Sequence, residues 1–470
     1  MARGATWDIT IEQRIGRAIG LDARAQDANY FAGICINLPR HPAWGLIQEP
    51  YSEDPLLLGD FGVALNKGVS SNFMTCVKHF ALDSMEHARF KVDVEVDDAA
   101  LHEGEFAGQN EKLLTHILRD EWKFEGFVLL EFVFGLRDAV LSVKNGLDIE
   151  APFSQQHAIS LRQALDSGEL DWLSTVPAQE CYGSSWSMLR APANTPQKMG
   201  GQQILPIDTS SISKLAIIGK LANTANTGAR GSSAVFAPRV VTVYEGLGFA
   251  LPGVKVILED RDSLAICIVG YDAADEGEYV VPSFQDNPEL LKLLPPATTD
   301  REKEMLEMTQ GQMATDIQTN GDGLVLGAGG DRKDLRSWRR DIDSISAVTD
   351  ASPKAVVSVV AAGAVSMEDF ISRVPALLMT WYARAEGGHA LADVLLGRVG
   401  ASGRLPFSIP TSEDHLPHFD IKATSITYDR WFGQRLLDKL GIPARFPLGF
   451  GLSYTTFSAS TYKVLAGPAK

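Results

Sequence analysis

A chain of 470 residues is too long for one ordinary hydrophobic core and implies two or three domains. With 45 % hydrophobic and 22 % charged residues its composition is average globular, which excludes a disordered, collagen-like or disulfide-scaffold chain. Against 43 basic residues stand 59 acidic ones, a net charge of −16, so there is no basic footprint for nucleic acid or an anionic membrane surface, and the balance suits neutral substrates.

From Thr10 to Gln26, Ile11, Ile15 and Ile19 recur at helical spacing. FAGICINL (31–38) reads as a strand closed by Pro39, residues 55–70 as a helix, and MTCVKHFAL as a second buried strand. LLTHILRDEW is a helical string, FEGFVLLEF a third strand, RDAVLSVKNG a helix, and GLDIEAP a short strand entering a Pro-closed loop. Continuous apolar strands alternating with helices predict a parallel α/β layer. Residues 183–212 shift to Gly, Ser, Pro and Gln, a linker composition. A second α/β series follows, with KLAIIG, VKVIL, LAICIVG, AVVSVVAAG and ALLMTWY as strands and helical segments around 287–316 and 385–397. Beyond Pro410 the chain is loop-rich and aromatic.

The cysteines (Cys35, Cys76, Cys181 and Cys267) form no C-x-x-C pair and have no histidine cluster, so a zinc site is not expected and buried free thiols are. No stretch approaches the ~20 apolar residues of a membrane span. MARGATWDITIEQR has no apolar signal-peptide region, which makes a cytoplasmic location the default expectation.

CVKHFAL, EHARF, VDVEVDDAALHE, LLTHILRDEWKFEGFVLLEF and NGLDIEAPF run in order, and LAIIGKLAN, ARGSSAVFAPRVVTVYEGL, GGDRKDL, WYARAEGGHALADVLLGRVGASGRLPFSIP and FPLGFGLSYTTF follow. In this order the strings resemble glycoside hydrolase family 3 enzymes of the β-glucosidase type over most of the chain. The resemblance implies an α/β fold, a (β/α)₈ TIM-like barrel followed by an α/β sandwich with the site between them. It implies retaining hydrolysis without metal or cofactor, by two carboxylates ~5 Å apart, one a nucleophile and one an acid/base.

Residue by residue, Lys78 and His79 match the family's sugar-binding Lys-His pair, and Arg89 in EHARF matches an arginine lining the sugar subsite. The family's nucleophilic Asp aligns with Glu131 in FVLLEF, where the longer side chain moves the carboxylate by about 1 Å, a displacement that can cost ~10²-fold in rate. The acid/base falls in GYDAADEGEYVVP, with Glu276 the first choice and Glu278 the alternative, and Asp275 beside them as a like charge that raises a neighbour's pKa. Asp148, at a strand end, is expected to shape the site floor. Leu46 stands where the family has a substrate-contacting Arg, and Arg40 reads as structural. Gly387 and Gly388 open a helix without a phosphate-binding motif. Trp44, Trp381, Tyr382 and Trp431 are read either as sugar-face contacts or, more commonly, as core packing.

After LHE a family segment of about thirty residues is missing, and a barrel typically takes ~250 residues where about 180 are available. The expected organisation is therefore a truncated barrel domain of about five or six strands over 1–182, a linker over 183–212, the sandwich over 213–412, and a tail over 413–470 that in the family leads into a fibronectin-III-like domain. An incomplete barrel exposes apolar surface and strand edges, so a partner chain, a second copy included, is expected to cover them. The functional expectation is an exo-β-glycosidase releasing terminal β-glucose from a small-molecule glycoside. The alternative is a degenerate or repurposed relative that binds a glycoside without ordinary hydrolysis.

Overall fold

Asp8 and Asp54 each start a helix by capping it. In the computed structural model, Asp8 accepts from Thr10 N (2.9 Å) ahead of α1 (Ile9–Ala25), and Asp54 accepts from Leu56 N (3.0 Å) and Leu57 N (2.9 Å) ahead of α2 (Pro55–Val69). Pro55 at the first turn of α2 costs no hydrogen bond. The structure describes residues 1–71, 73–96, 109–130, 135–151, 156–171, 204–228, 231–234, 237–258, 264–279, 299–300, 303 and 329–455. The two helices touch through glycines: a Cβ on Gly68 would lie 2.4 Å from Gln13 O, and one on Gly16 2.7 Å from Leu65 O. Phe61, Leu65 and Val69 of α2 pack with Ile34 and Tyr51 into a small core of their own.

That core seats β1 (Tyr30–Cys35) beside β2 (Met74–Lys78), paired in parallel from Tyr30↔Met74 to Cys35↔Lys78. The expected third and fourth strands appear among the described residues as one parallel bridge, Leu129↔Ile149, fastened by Leu130 N to Ile149 O (2.9 Å). The helix expected at LLTHILRDEW is present but wound as a π-helix, Lys112–Glu121, with Leu113, Leu114, Ile117 and Leu118 buried. α3 (Ala139–Lys144) and α4 (Gln156–Ser167) follow.

The second half holds a five-stranded parallel sheet. Numbering on from β3 (Asp93–Val96), its strands are β4 (Lys214–Ile218), β5 (Lys255–Leu258), β6 (Leu264–Gly270), β7 (Val356–Val360) and β8 (Ala376–Met379), in the order β5-β4-β6-β7-β8. Every residue of β7 is buried, as a parallel strand covered on both faces requires. Helices α5 (Val243–Ala250), α6 (Arg339–Ala351) and α7 (Gly387–Leu395) surround it. The Gly387–Gly388 pair serves packing: a Cβ on Gly388 would lie 2.0 Å from Thr242 O, at the start of α5. The helix expected around 287–316 lies outside the described residues apart from 299, 300 and 303. Of the expected linker, residues 204–212 are described, and Ile207 is buried in the sheet's core and donates to Leu395 O (2.8 Å).

The last part of the chain is woven back into the first. β9 (Ser425–Tyr428) pairs in parallel with β3, from Asp93↔Ser425 to Val96↔Tyr428, and α8 (Gly433–Leu440) follows. Leu405 N donates to Phe450 O (2.8 Å) and Ile409 N to Phe446 O (2.8 Å). Cys35 and Cys267 are buried free thiols, Cys76 is half-buried, and Cys181 lies outside the described residues. Among the described residues no helix is long and apolar enough to cross a membrane.

Candidate active site

The strand order of the second sheet creates a topological switch between β4 and β6, whose crossovers run in opposite directions. In open α/β sheets ligands bind outside the carboxyl ends of the strands at such a point. The segment leaving β6 there is Tyr271–Tyr279, which carries Asp275, Glu276 and Glu278.

Glu276 is 1 % exposed, with one carboxylate oxygen hydrogen-bonded and the other in an ion pair without a hydrogen bond. Oε1 accepts from Ala362 N (2.7 Å) and from the Tyr382 hydroxyl, and Oε2 lies 3.1 Å from Arg332 Nε. Arg332 is itself buried and donates to Ala364 O (3.0 Å) and Pro42 O. Burial first, and the Glu276 charge after it, push the Tyr382 hydroxyl pKa well up. Glu276 is thus a buried knot between the sheet and the loop after β1. Asp275 turns elsewhere, accepting from Asp272 N (3.0 Å) with Lys220 Nζ 3.4 Å away.

Glu278 faces a different neighbourhood. Its Oε1 is 3.4 Å from Arg89 Nη1, and its Oε2 accepts from Ser232 N. The same Arg89 Nη1 donates to Glu86 Oε2 (3.1 Å). Glu86 is fully buried, receiving Trp44 Nε1 on Oε1 (3.0 Å) and Tyr279 N on Oε2 (3.2 Å). Burial pushes the Glu86 carboxyl well above the usual range; nearby Asp83, Asp331 and Glu278 add to this and Arg89 opposes it. Asp331 of the GGDR string clamps the cluster by accepting from Gly45 N (3.0 Å), Glu86 N (2.8 Å) and His87 N (2.9 Å). Gly277 and Gly330 bridge beside it, and a Cβ on Gly45 would lie 2.3 Å from Gly277 O.

Lys78 ends β2 and His79 follows it. Asn37 Oδ1 accepts from His79 N (2.6 Å) and lies 2.9 Å from His79 Nδ1, while Asn37 Nδ2 donates to Asp83 O (2.9 Å). With Oδ1 as acceptor the ring proton sits on Nδ1, leaving Nε2 as the ring's acceptor. Burial, with Lys78 and Arg89 nearby, lowers the His79 pKa to about 3. Lys78 Nζ lies 3.7 Å from Glu49 Oε2.

The structure therefore brings Arg89 and Glu278 together and places Glu276 apart from them, in its own ion pair. Asp148 accepts from Arg119 Nη2 (2.6 Å) and Val128 N (2.6 Å), which ties the π-helix to the bridge strand. Glu131 lies outside the described residues. Trp44 and Tyr382 are buried hydrogen-bond partners of Glu86 and Glu276, and Leu46 is sealed in the core of the second sheet. The sequence reading missed Glu86, whose signal is the Glu-x-x-Arg spacing within EHARF, and Asp331, whose signal is the GGDR string itself.

Residues 200–454 match the glycosyl hydrolase family 3 C-terminal domain, and the chain belongs to that family. A thermostable beta-glucosidase B of Acetivibrio thermocellus is 27 % identical over 98 % of this chain and 64 % of its own length. That alignment runs over 518 positions, more than this chain has, so the relative carries segments this chain lacks. An exo-alpha-(1->6)-L-arabinopyranosidase of Bifidobacterium breve is 24 % identical over 96 % of this chain, which again spans 64 % of it. Among solved structures, the Trichoderma reesei beta-D-glucoside glucohydrolase superposes with a TM-score of 0.75 at 20 % identity, covering 97 % of this chain and 71 % of that one. Beta-glucosidase 3B of Thermotoga neapolitana gives 0.71 at 19 % identity, covering 96 % and 71 %. The fold class is thus that of the family 3 β-glucosidases, with an α/β sandwich after a barrel-like domain.

Proposed function

We propose that the chain is a retaining exo-β-glycosidase that removes terminal β-glucose from small glucosides. Glu278 acts as acid/base in place of Glu276, and Glu131 as nucleophile. The observation that carries this is the meeting of Arg89 and Glu278 at the switch point (3.4 Å, 189 residues apart in sequence), whereas Glu276 is paired with the buried Arg332. In the first step Glu131 forms a bond to the anomeric carbon as the bond to the leaving oxygen breaks, and that oxygen takes the proton from Glu278. In the second step Glu278 removes a proton from water, the water oxygen bonds to the anomeric carbon, and Glu131 is released as carboxylate. Lys78, His79 and Arg89 bind the sugar, with His79 Nε2 accepting from a hydroxyl rather than donating to one. A second reading, a glycoside-binding relative without hydrolysis, is favoured by Glu131 at the nucleophile position and by Leu46 buried where the family carries a cation.

Release of nitrophenol from aryl β-glucoside, β-xyloside and α-L-arabinopyranoside tests the choice. Turnover abolished by both Glu131→Gln and Glu278→Gln establishes the hydrolase and its two carboxylates. No turnover above the double variant, from a folded protein, leaves the binding reading.

A further inference from the structure

Arg40, on the loop after β1, is 8 % exposed, and among the described residues its side chain makes no hydrogen bond and no ion pair. Its Nε is buried without an acceptor, and its guanidinium carbon lies 5.2 Å from the Tyr428 ring centre and 5.9 Å from that of Phe432. A buried cation held only against two rings keeps most of its desolvation cost. The same side chain lines a cavity of about 350 Å³ between the loop at 414–417 and the β9–α8 segment. That volume lies within the ~300–1,000 Å³ of small-molecule sites.

The remaining walls decide what fits. Asp414 and Asp429 line the cavity, each with one carboxylate oxygen engaged locally, by Ser412 Oγ (3.2 Å) and Trp431 N (2.7 Å) respectively. An anion would pair with Arg40 but would share the space with two carboxylates. A neutral polyol meets neither objection: its oxygens accept from the guanidinium and its hydroxyls donate to the second oxygens of Asp414 and Asp429. Leu436 and Leu440, the latter 52 % exposed, supply apolar surface for C–H faces.

We propose that this cavity is a second saccharide site, taking one neutral sugar unit on Arg40, Asp414 and Asp429, apart from the Arg89–Glu278 cluster. Tyr428, in its wall, accepts from Ser84 Oγ (2.9 Å), on the loop that also carries Glu86 and Arg89, so the two sites share a connecting segment.

The test is a calorimetric and saturation-transfer titration of the full chain with methyl 1-thio-β-D-glucoside and a thio-linked cellobiose, with inorganic phosphate as the anionic control. The expected result is millimolar binding that persists in Glu278→Gln and weakens at least about tenfold in the exposed-site variant Asp429→Ala. Arg40→Gln should weaken it likewise, and Asp429→Ala keeps the proposal testable if the Arg40 variant does not fold. Binding unchanged by Asp429→Ala, no binding at tens of millimolar sugar, or phosphate binding more tightly than sugar each overturns it. Aryl glucoside turnover in Asp429→Ala stays at the parent level, so failure here is distinguishable from failure of the hydrolase reading.

Discussion

Arg89 and Glu278 approach to 3.4 Å across 189 residues of sequence, and the guanidinium nitrogen that joins them also holds the buried Glu86 at 3.1 Å. One cation thus serves two carboxylates, one from each half of the chain. Removing it leaves Glu86 buried with only neutral donors. Arg89→Ala is expected to cost about 1–3 kcal/mol of stability, the scale of buried polar groups that lose their partner. Adding Glu86→Gln should recover part of that. Denaturant melts of both single variants and the double close the cycle, and strict additivity would show that the two residues do not interact.

Glu276 and Glu278 separate by experiment because they fail differently. Glu276→Gln breaks a buried ion pair with Arg332 and should lower stability by about 3–5 kcal/mol. Glu278→Gln, at a buried carboxylate that shares Arg89 with Glu86, should lower stability less, by about 1–2 kcal/mol, and remove turnover. A Glu276→Gln variant that melts like the parent yet is inactive would return the acid/base role to Glu276.

Much of the second sheet was legible in the sequence. Strings such as LAICIVG and AVVSVV are continuously apolar because a parallel strand covered on both faces has no polar side, and β6 and β7 lie where they occur. The pairing of β3 with β9 was not legible. DVEV and SITY are short and partly exposed, and nothing local tells Glu95 that Thr427, 332 residues away, will donate to it (3.2 Å). At the site, Arg89 was legible through its motif. The choice between Glu276 and Glu278 was not, because Gly277 between them sits at φ +154° and breaks ordinary strand alternation. Which carboxylate meets Arg332 depends on a residue 56 positions further along the chain than Glu276, and only the fold supplies it.

Acid should weaken the fold through buried neutral imidazoles. His41, stacked on Phe419 at 4.5 Å, has its pKa lowered from 6.5 to about 3 by burial, with Arg332 and His418 adding to this. In the unfolded chain it protonates near 6.5, so its contribution is complete above that pH and is lost as pH falls through 6.5 toward 3. Glu86 and Glu53, raised by burial, have the opposite sign: their contribution is present below about 4.5 and is lost as pH rises. The His41 part is isolated by difference. The stability gap between parent and His41→Gln should shrink by about 1.4 kcal/mol per pH unit below 6.5. A gap constant from pH 7 to 5 would contradict it.

Two glycines of α5 should respond to alanine with opposite signs. A Cβ on Gly246 would lie 2.2 Å from the Gly388 carbonyl carbon and oxygen, so no side-chain rotation relieves it and α5 must move off α7. The cost is on the order of 1–3 kcal/mol, as for other overpacked sites. Gly248, two residues on, has nothing within 4 Å of the same built atom. Alanine there removes only the entropy that glycine loses in a helix, and should stabilise by about 0.5–1 kcal/mol. Urea midpoints of the two variants against the parent decide it. Because both substitutions carry the same gain in helix propensity, their difference reports the α5–α7 contact alone, and equal midpoints would mean that the helices do not touch at Gly246 and Gly388.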